Sequence, residues 1–324
     1  MDDRMLHEYR REPDPRFARE LRERLRRGER PRGVPRVVVR SLAAACALGV
    51  VVAIFAVPSV RVSAQAILDI FRVRRFAPVE FNQARIETLK SIEKERGLLV
   101  FEREETLKPG VSWYVPTREE ASKRAGFAVS APAYLPDSLA PESVFVHGEE
   151  AMRFLVSEDK VRELLDRLDM KGVSLPRGLE DGWVEVHKPT VVVQRFRSTK
   201  RKAILIQAPS PEVSVPAGWD MEKLGEIGLR ILGLDAGEAR RMARATDWKS
   251  TLLVPVPLDV ASFRQVTIRG NSALLITTSG EQPADGRPRR RGAMLMWAEG
   301  DRIYCLRGDL SAKDTIRMAE SIAL

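Results

Sequence analysis

Cysteine is nearly absent. Two occur in 324 residues, Cys46 and Cys305. They are too far apart in the chain's organisation to form a disulfide framework, and no Cys-x-x-Cys metal or redox site exists. Histidine is as scarce: His7, His147 and His187 are the full set, without cysteine or acidic neighbours at zinc spacing. No G-x-S-x-G elbow, P-loop, G-x-G-x-x-G or H-E-x-x-H run is present. The chain is therefore expected to be non-enzymatic, with no catalytic residue, no metal and no cofactor. Acidic runs such as Glu102, Glu104 and Glu105 read as solvated faces, and Trp183, Trp219, Trp248 and Trp297 as core or near-core side chains.

Against 31% charged residues overall, positions 41–60 (SLAAACALGVVVAIFAVPSV) carry no charge at all. Twenty residues at ~1.5 Å rise span a hydrocarbon core of roughly 30 Å. Nine of them are Leu, Ile, Val or Phe, each worth roughly −0.3 to −0.6 kcal/mol on insertion. A cleaved signal peptide is a competing reading, with Ala64-Gln65-Ala66 as its site, but a 40-residue basic start is too long for one. A buried core helix would be shorter and flanked by periodic polar positions. The expectation is one uncleaved transmembrane helix within residues 37–60. Six arginines precede the run within fifteen residues and four follow it, which puts the N-terminus in the cytoplasm and the C-terminal domain outside. Ala45, Gly49 and Ala53 form a small-residue ridge suited to helix packing in the membrane and to a homodimer.

The head, residues 1–36, is basic: residues 1–40 hold 13 Lys/Arg against 8 Asp/Glu. Asp14-Pro15 caps a short amphipathic helix with Phe17, Leu21 and Leu25 on one stripe. That stripe is a candidate docking face for a cytoplasmic partner, or it lies on membrane lipid. No aromatic interleaving or reading-head motif supports direct nucleic-acid contact.

After the span the charge is nearly balanced, and enough chain remains for a sizeable core. Residues 61–116 read as a juxtamembrane helical and strand connector. Within it, 62–75 is amphipathic with Ile67, Ile70 and Phe71 on one face, 82–96 is helical and 98–104 a strand. Residues 117–324 read as an α+β domain in which 157–251 looks like an insertion. Thr117/Glu120, Ser157, Asp235/Glu238 and Ser311/Asp314 signal helix starts. FAVSAPAYLP at 127–136 is extended because Pro132 and Pro136 forbid a helix. WVEVHKPTVVVQRF and KAILIQA read as strands joined by a basic tip. The last eighty residues read as a four-strand antiparallel meander, turning at Gly270-Asn271 and Gly300-Asp301, closed by a helix. The expected fold is thus α+β, an antiparallel sheet with packed helices. Two basic clusters are candidate anionic-surface contacts: Arg197, Lys200, Arg201 and Lys202 at the hairpin tip, and Arg289, Arg290 and Arg291 in the late loop.

The segments VTIRGNSALLI, MLMWAEGDRIYCLRG and LSAKDTIRMAESI, with the earlier AGFAVSAPAYLPDSL, resemble a bacterial domain-of-unknown-function family. That family is found as the extracytoplasmic domain of single-pass transmembrane regulators, mostly of the anti-sigma type. The resemblance implies a membrane-anchored envelope sensor or regulator whose cytoplasmic partner would be a sigma factor. The head departs from zinc-type anti-sigma heads, which carry His-x-x-x-Cys-x-x-Cys: here His7 stands without any cysteine. The alternative is a tethered envelope protein that binds lipid, lipoprotein or wall material and has no signalling role.

Overall fold

The structure is a computed structural model that describes residues 73–323, apart from 82, 97–99, 171, 180–181, 217, 258–260 and 279–291. The head with Phe17, Leu21 and Leu25, the apolar run with Ala45, Gly49 and Ala53, and Arg289, Arg290 and Arg291 lie outside the described residues. Among the described residues no helix is long and apolar enough to cross a membrane.

The described chain is α+β. Its strands are β1 (Arg75–Phe81), β2 (Phe101–Lys108), β3 (Ser112–Val115), β4 (Ala131–Pro132), β5 (Ala140–His147), β6 (Glu150–Val156), β7 (Trp183–Lys188), β8 (Val191–Arg197), β9 (Lys202–Pro209) and β10 (Glu212–Ser214). They continue with β11 (Thr251–Pro257), β12 (Ala261–Ile268), β13 (Asn271–Thr278), β14 (Gly292–Glu299), β15 (Arg302–Gly308) and β16 (Ile322–Ala323). The helices are α1 (Gln83–Arg96), α2 (Arg118–Ala125), α3 (Glu158–Arg167), α4 (Met221–Ile231), α5 (Ala236–Ala245) and α6 (Ala312–Glu320).

An eight-stranded antiparallel sheet runs in the order β12-β13-β14-β15-β9-β8-β5-β3, and a four-stranded one in the order β10-β7-β6-β2. The second is an extension of the first. β9 leads into β10, β7 into β8, β5 into β6 and β2 into β3, each through two or three residues and in the same lateral order. The ladder breaks along one line because of what sits there: Pro109-Gly110, Gly148, Pro189 and Pro211. Proline has no N–H to give a ladder. Glycine lets the neighbouring chain close in: the Gly148 N–H donates to the Val111 carbonyl at 2.7 Å, and a Cβ on Gly148 would lie 2.9 Å from the Trp113 ring. The segment WVEVHKPTVVVQRF is consequently two strands in two sheets and not one, divided at Pro189-Thr190.

Alternation carries the same buried face through the break. Val146 precedes Phe154 and Val156, Val184 and Val186 precede Val192, and Leu205 precedes Val213, all of them buried. On the eight-stranded part this face packs under α6. Leu205, Leu275, Leu295, Trp297, Tyr304 and Leu306 meet Met318 and Ala319 there, and the Trp297 and Tyr304 rings stack at 4.9 Å. A smaller cluster of Val115, Ala121, Val129, Val146 and Val192 sits beneath α2. A polar clasp holds the extended 127–133 segment down. Gln207, fully buried, bonds both the N–H and the carbonyl of Ser130 at 2.9 and 2.7 Å, and Gln194 adds a 2.7 Å bond to the same carbonyl.

The helix starts follow the capping chemistry. Ser157, Asp235 and Ser311 each accept a first-turn N–H. Thr117 caps α2 through the Glu120 N–H, while the Glu120 carboxylate turns to Arg124 at 3.0 Å, so only half of a capping box forms. In α3 the inward set Val161, Leu164, Leu165 and Leu168 is buried. In α4, Gly225 admits Trp248, whose ring lies 2.1 Å from where a Cβ would be.

One turn and one strand pairing differ from the sequence-based expectation, and two further details add to it. The β12–β13 turn is Arg269-Gly270, both at positive φ (47° and 80°), with Ile268 and Asn271 as the closing pair. Arg75, at the end of the stretch read as an amphipathic segment, begins β1, a strand. β1 pairs with β11 in parallel, the one parallel ladder among the described residues, whose other ladders are antiparallel. Elsewhere, β8 and β9, within 157–251, lie between β5 and β15 in the large sheet.

Candidate functional site

The face away from α2 and α6 changes character at the ladder break. On the eight-stranded side one register row reads Tyr114, Phe145, Val193, Ile206, Cys305, Met296 and Leu274 across seven strands. On the four-stranded side the rows are Lys108, Ala151, His187, Glu212 and Glu105, Arg153, Glu185. Arg153 bonds Glu105 at 2.7 Å and lies 4.3 Å above the Trp183 ring.

The Lys108 row is a connected chain of polar contacts. Ala151 is small, so Glu149 reaches across it: one carboxylate oxygen takes Lys108 at 2.5 Å and the other meets His187 Nε2. His187 Nδ1 then faces Glu212 at 3.9 Å. The hydrogen bond from Lys108, followed by that from His187, holds the Glu149 carboxyl below its ordinary value of 4.5. His147 lies apart from this chain, with Ser112 Oγ at 2.7 Å from its Nδ1. Burial first, then the Arg195 charge, lowers its pKa from 6.5. Neither histidine belongs to a metal-ligating cluster among the described residues.

Glu212 also lines a half-open cavity of about 680 Å³ at the end of the large sheet. Three structural features converge there. The β9–β10 link gives Pro209, Ser210 and Glu212, the β12–β13 and β14–β15 turns with their flanking strand residues give Asn271, Ala298, Gly300 and Asp301, and the chain entering the domain gives Val73 and Arg74. That entry is pinned. The Val73 N–H donates to Ser210 Oγ at 2.8 Å, and the N–H groups of Arg74 and Arg75 donate to the Ser250 carbonyl at 2.8 and 3.1 Å. The Arg74 side chain is exposed. Asn271 is held by its side-chain amide on the Arg269 carbonyl at 3.2 Å, and Asp301 stands 3.7 Å from Arg302 Nε. The cavity is thus lined by one arginine and two acidic residues among mostly polar or small neighbours.

Residues 256–322 match the model of Domain of unknown function (DUF4367). The DUF4367 segment supplies Asn271, Ala298, Gly300 and Asp301 to the cavity, and unmatched chain supplies the rest. The second block of resemblance, 125–139, lies outside the match but packs on its end. Ala131–Pro132 pairs with Ile322–Ala323, and Arg317 lies 4.0 Å over the Tyr134 ring. No curated protein matches the chain.

The sequence-predicted basic tip sits on the β8–β9 turn. Arg197 pairs with Glu142 at 2.8 Å and Arg201 with Asp314 at 3.6 Å, leaving Lys200 and Lys202 exposed. Glu142 and Asp314 arrive from distant strand and helix ends, so sequence alone shows a denser positive cluster than the fold presents. Arg74, Glu212, Asn271 and Asp301 were not singled out from the sequence as site residues. Their local signals were the Pro209-Ser-Pro211 punctuation and the Gly270 and Gly300 turns, which mark bends without saying that the bends meet.

Proposed function

We propose that the chain is a single-pass, non-enzymatic envelope regulator of the anti-sigma type. The carrying observation is the uncharged run 41–60 standing directly ahead of a domain that ends in a DUF4367 match. In this reading residues 37–60 cross the membrane. The head stays in the cytoplasm and offers Phe17, Leu21 and Leu25 to a sigma factor. The α+β domain lies outside. The entry geometry supports coupling: chain from the span reaches Val73, which is hydrogen-bonded to the cavity wall, so rearrangement there would pull on the connection. A ligand can bias such a device only by binding two states unequally.

Deleting residues 1–30 tests the reading. Loss of sigma-factor retention and an altered transcriptional response are expected. An envelope defect rescued by any generic anchor, with transcription unchanged, would instead assign the protein to the tethered-binder class.

A further inference from the structure

The cavity beside the chain entry has walls of opposite charge that do not neutralise each other. Glu212 and Asp301 have side-chain partners elsewhere, at His187 and Arg302, and none of the ion pairs among the described residues joins either to Arg74. Its volume of about 680 Å³ falls within the roughly 300–1,000 Å³ usual for small-ligand sites. An apolar ligand would leave the carboxylates and the guanidinium facing it unsatisfied. A polyanion would meet two carboxylates for one cation. A bare divalent ion finds no ligand cluster here among the described residues. A ligand with both charges separated along its length answers the whole lining.

We propose that this cavity binds a short peptide with free termini. Its carboxylate is taken by Arg74, whose planar fork suits bidentate pairing. Its ammonium is taken by Glu212 and Asp301. The Asn271 and Ser210 side of the cavity faces the intervening amides. As the input of the proposed regulator the site rests on that reading; as a binding site it stands alone.

The test uses the full chain in lipid nanodiscs and calorimetric titration with tetra-alanine, its N-acetylated form and its C-amidated form. Tetra-alanine is expected to bind, and each blocked form to bind at least about tenfold more weakly, the cost of one charge-assisted contact. Arg74→Gln should weaken tetra-alanine to the level of its C-amide and erase the difference between those two. Glu212→Gln with Asp301→Asn should do the same for the N-acetyl pair. Absence of tetra-alanine binding, or binding indifferent to both blocks, overturns the proposal. All three side chains lie at the surface, and intact thermal unfolding of each variant separates lost binding from lost fold. Peptide binding of this pattern with no effect of the 1–30 deletion would sink the regulator and keep the site. The converse result would sink the site and keep the regulator.

Discussion

The four-stranded sheet continues four runs of chain out of the eight-stranded one, yet the second faces of the two sheets differ. In the eight-stranded part the second face is an apolar row from Tyr114 to Leu274. In the four-stranded part it is a lattice of charges. The difference lies in side chains and not in backbone pattern, since strand order and buried parity persist through the break. It teaches that one strand can serve a core in one half and a polar surface in the other, provided prolines and glycines mark the change. It also separates the energetics. Apolar burial should dominate in the large sheet, and exposed ion pairs, each worth little, should decorate the small one.

The sharpest way to break this contrast is to truncate each row. Leu274, fully buried, is expected to lose about 2–5 kcal/mol of stability as Leu274→Ala. Arg153→Met, at a partly exposed pair, should cost less than about 1 kcal/mol and less still in high salt. Chemical denaturation of both variants decides the matter, and equal costs would erase the distinction. Gly308→Ala ranks next. Its new Cβ would sit 2.5 Å from the Lys202 carbonyl between β15 and β9, and the large sheet should lose about 1–3 kcal/mol.

Smaller effects are read against pH. Desolvation pushes the Cys305 thiol from 9.0 up to about 11. A raised folded-state value means the fold keeps its proton longer than the unfolded chain does. Stability should therefore be intact below pH 9 and fall as pH climbs toward 11. Cys305→Ala should remove that part of the alkaline slope. Glu149 has the opposite sign. Its lowered value favours the fold above the ordinary 4.5 and gives up that preference as pH drops. A Glu149→Gln variant should unfold with a shallower acid dependence, followed by circular dichroism from about pH 6 down to 3. An unchanged acid profile would show that the Lys108–Glu149–His187 chain contributes nothing to the small sheet.

Much of the large sheet was readable from the chain. β12 to β15 alternate cleanly and turn at glycines, and Ser311 announces α6, so the meander and its closing helix follow from local rules. The parallel β1–β11 ladder was not readable, because pairing between distant segments leaves no local mark. Nor was the break at Pro189-Thr190, where a proline inside an apolar run could equally have marked an edge strand. The Gln194–Gln207–Ser130 clasp was hidden for a similar reason: glutamine in a strand reads as solvent-facing until its partner is known. The cavity was least legible, since its charges come from Arg74, Glu212 and Asp301, each unremarkable among its neighbours.

The central claim is that residues 41–60 hold the chain in a membrane with Phe17 and Lys200 on opposite sides. It is tested by placing one cysteine at either position in a chain lacking Cys46 and Cys305, then adding a membrane-impermeant maleimide to intact cells. Labelling at position 200 and protection at position 17 until the cells are lysed is the expected result. Equal labelling of both positions, or protection of both, would contradict the account.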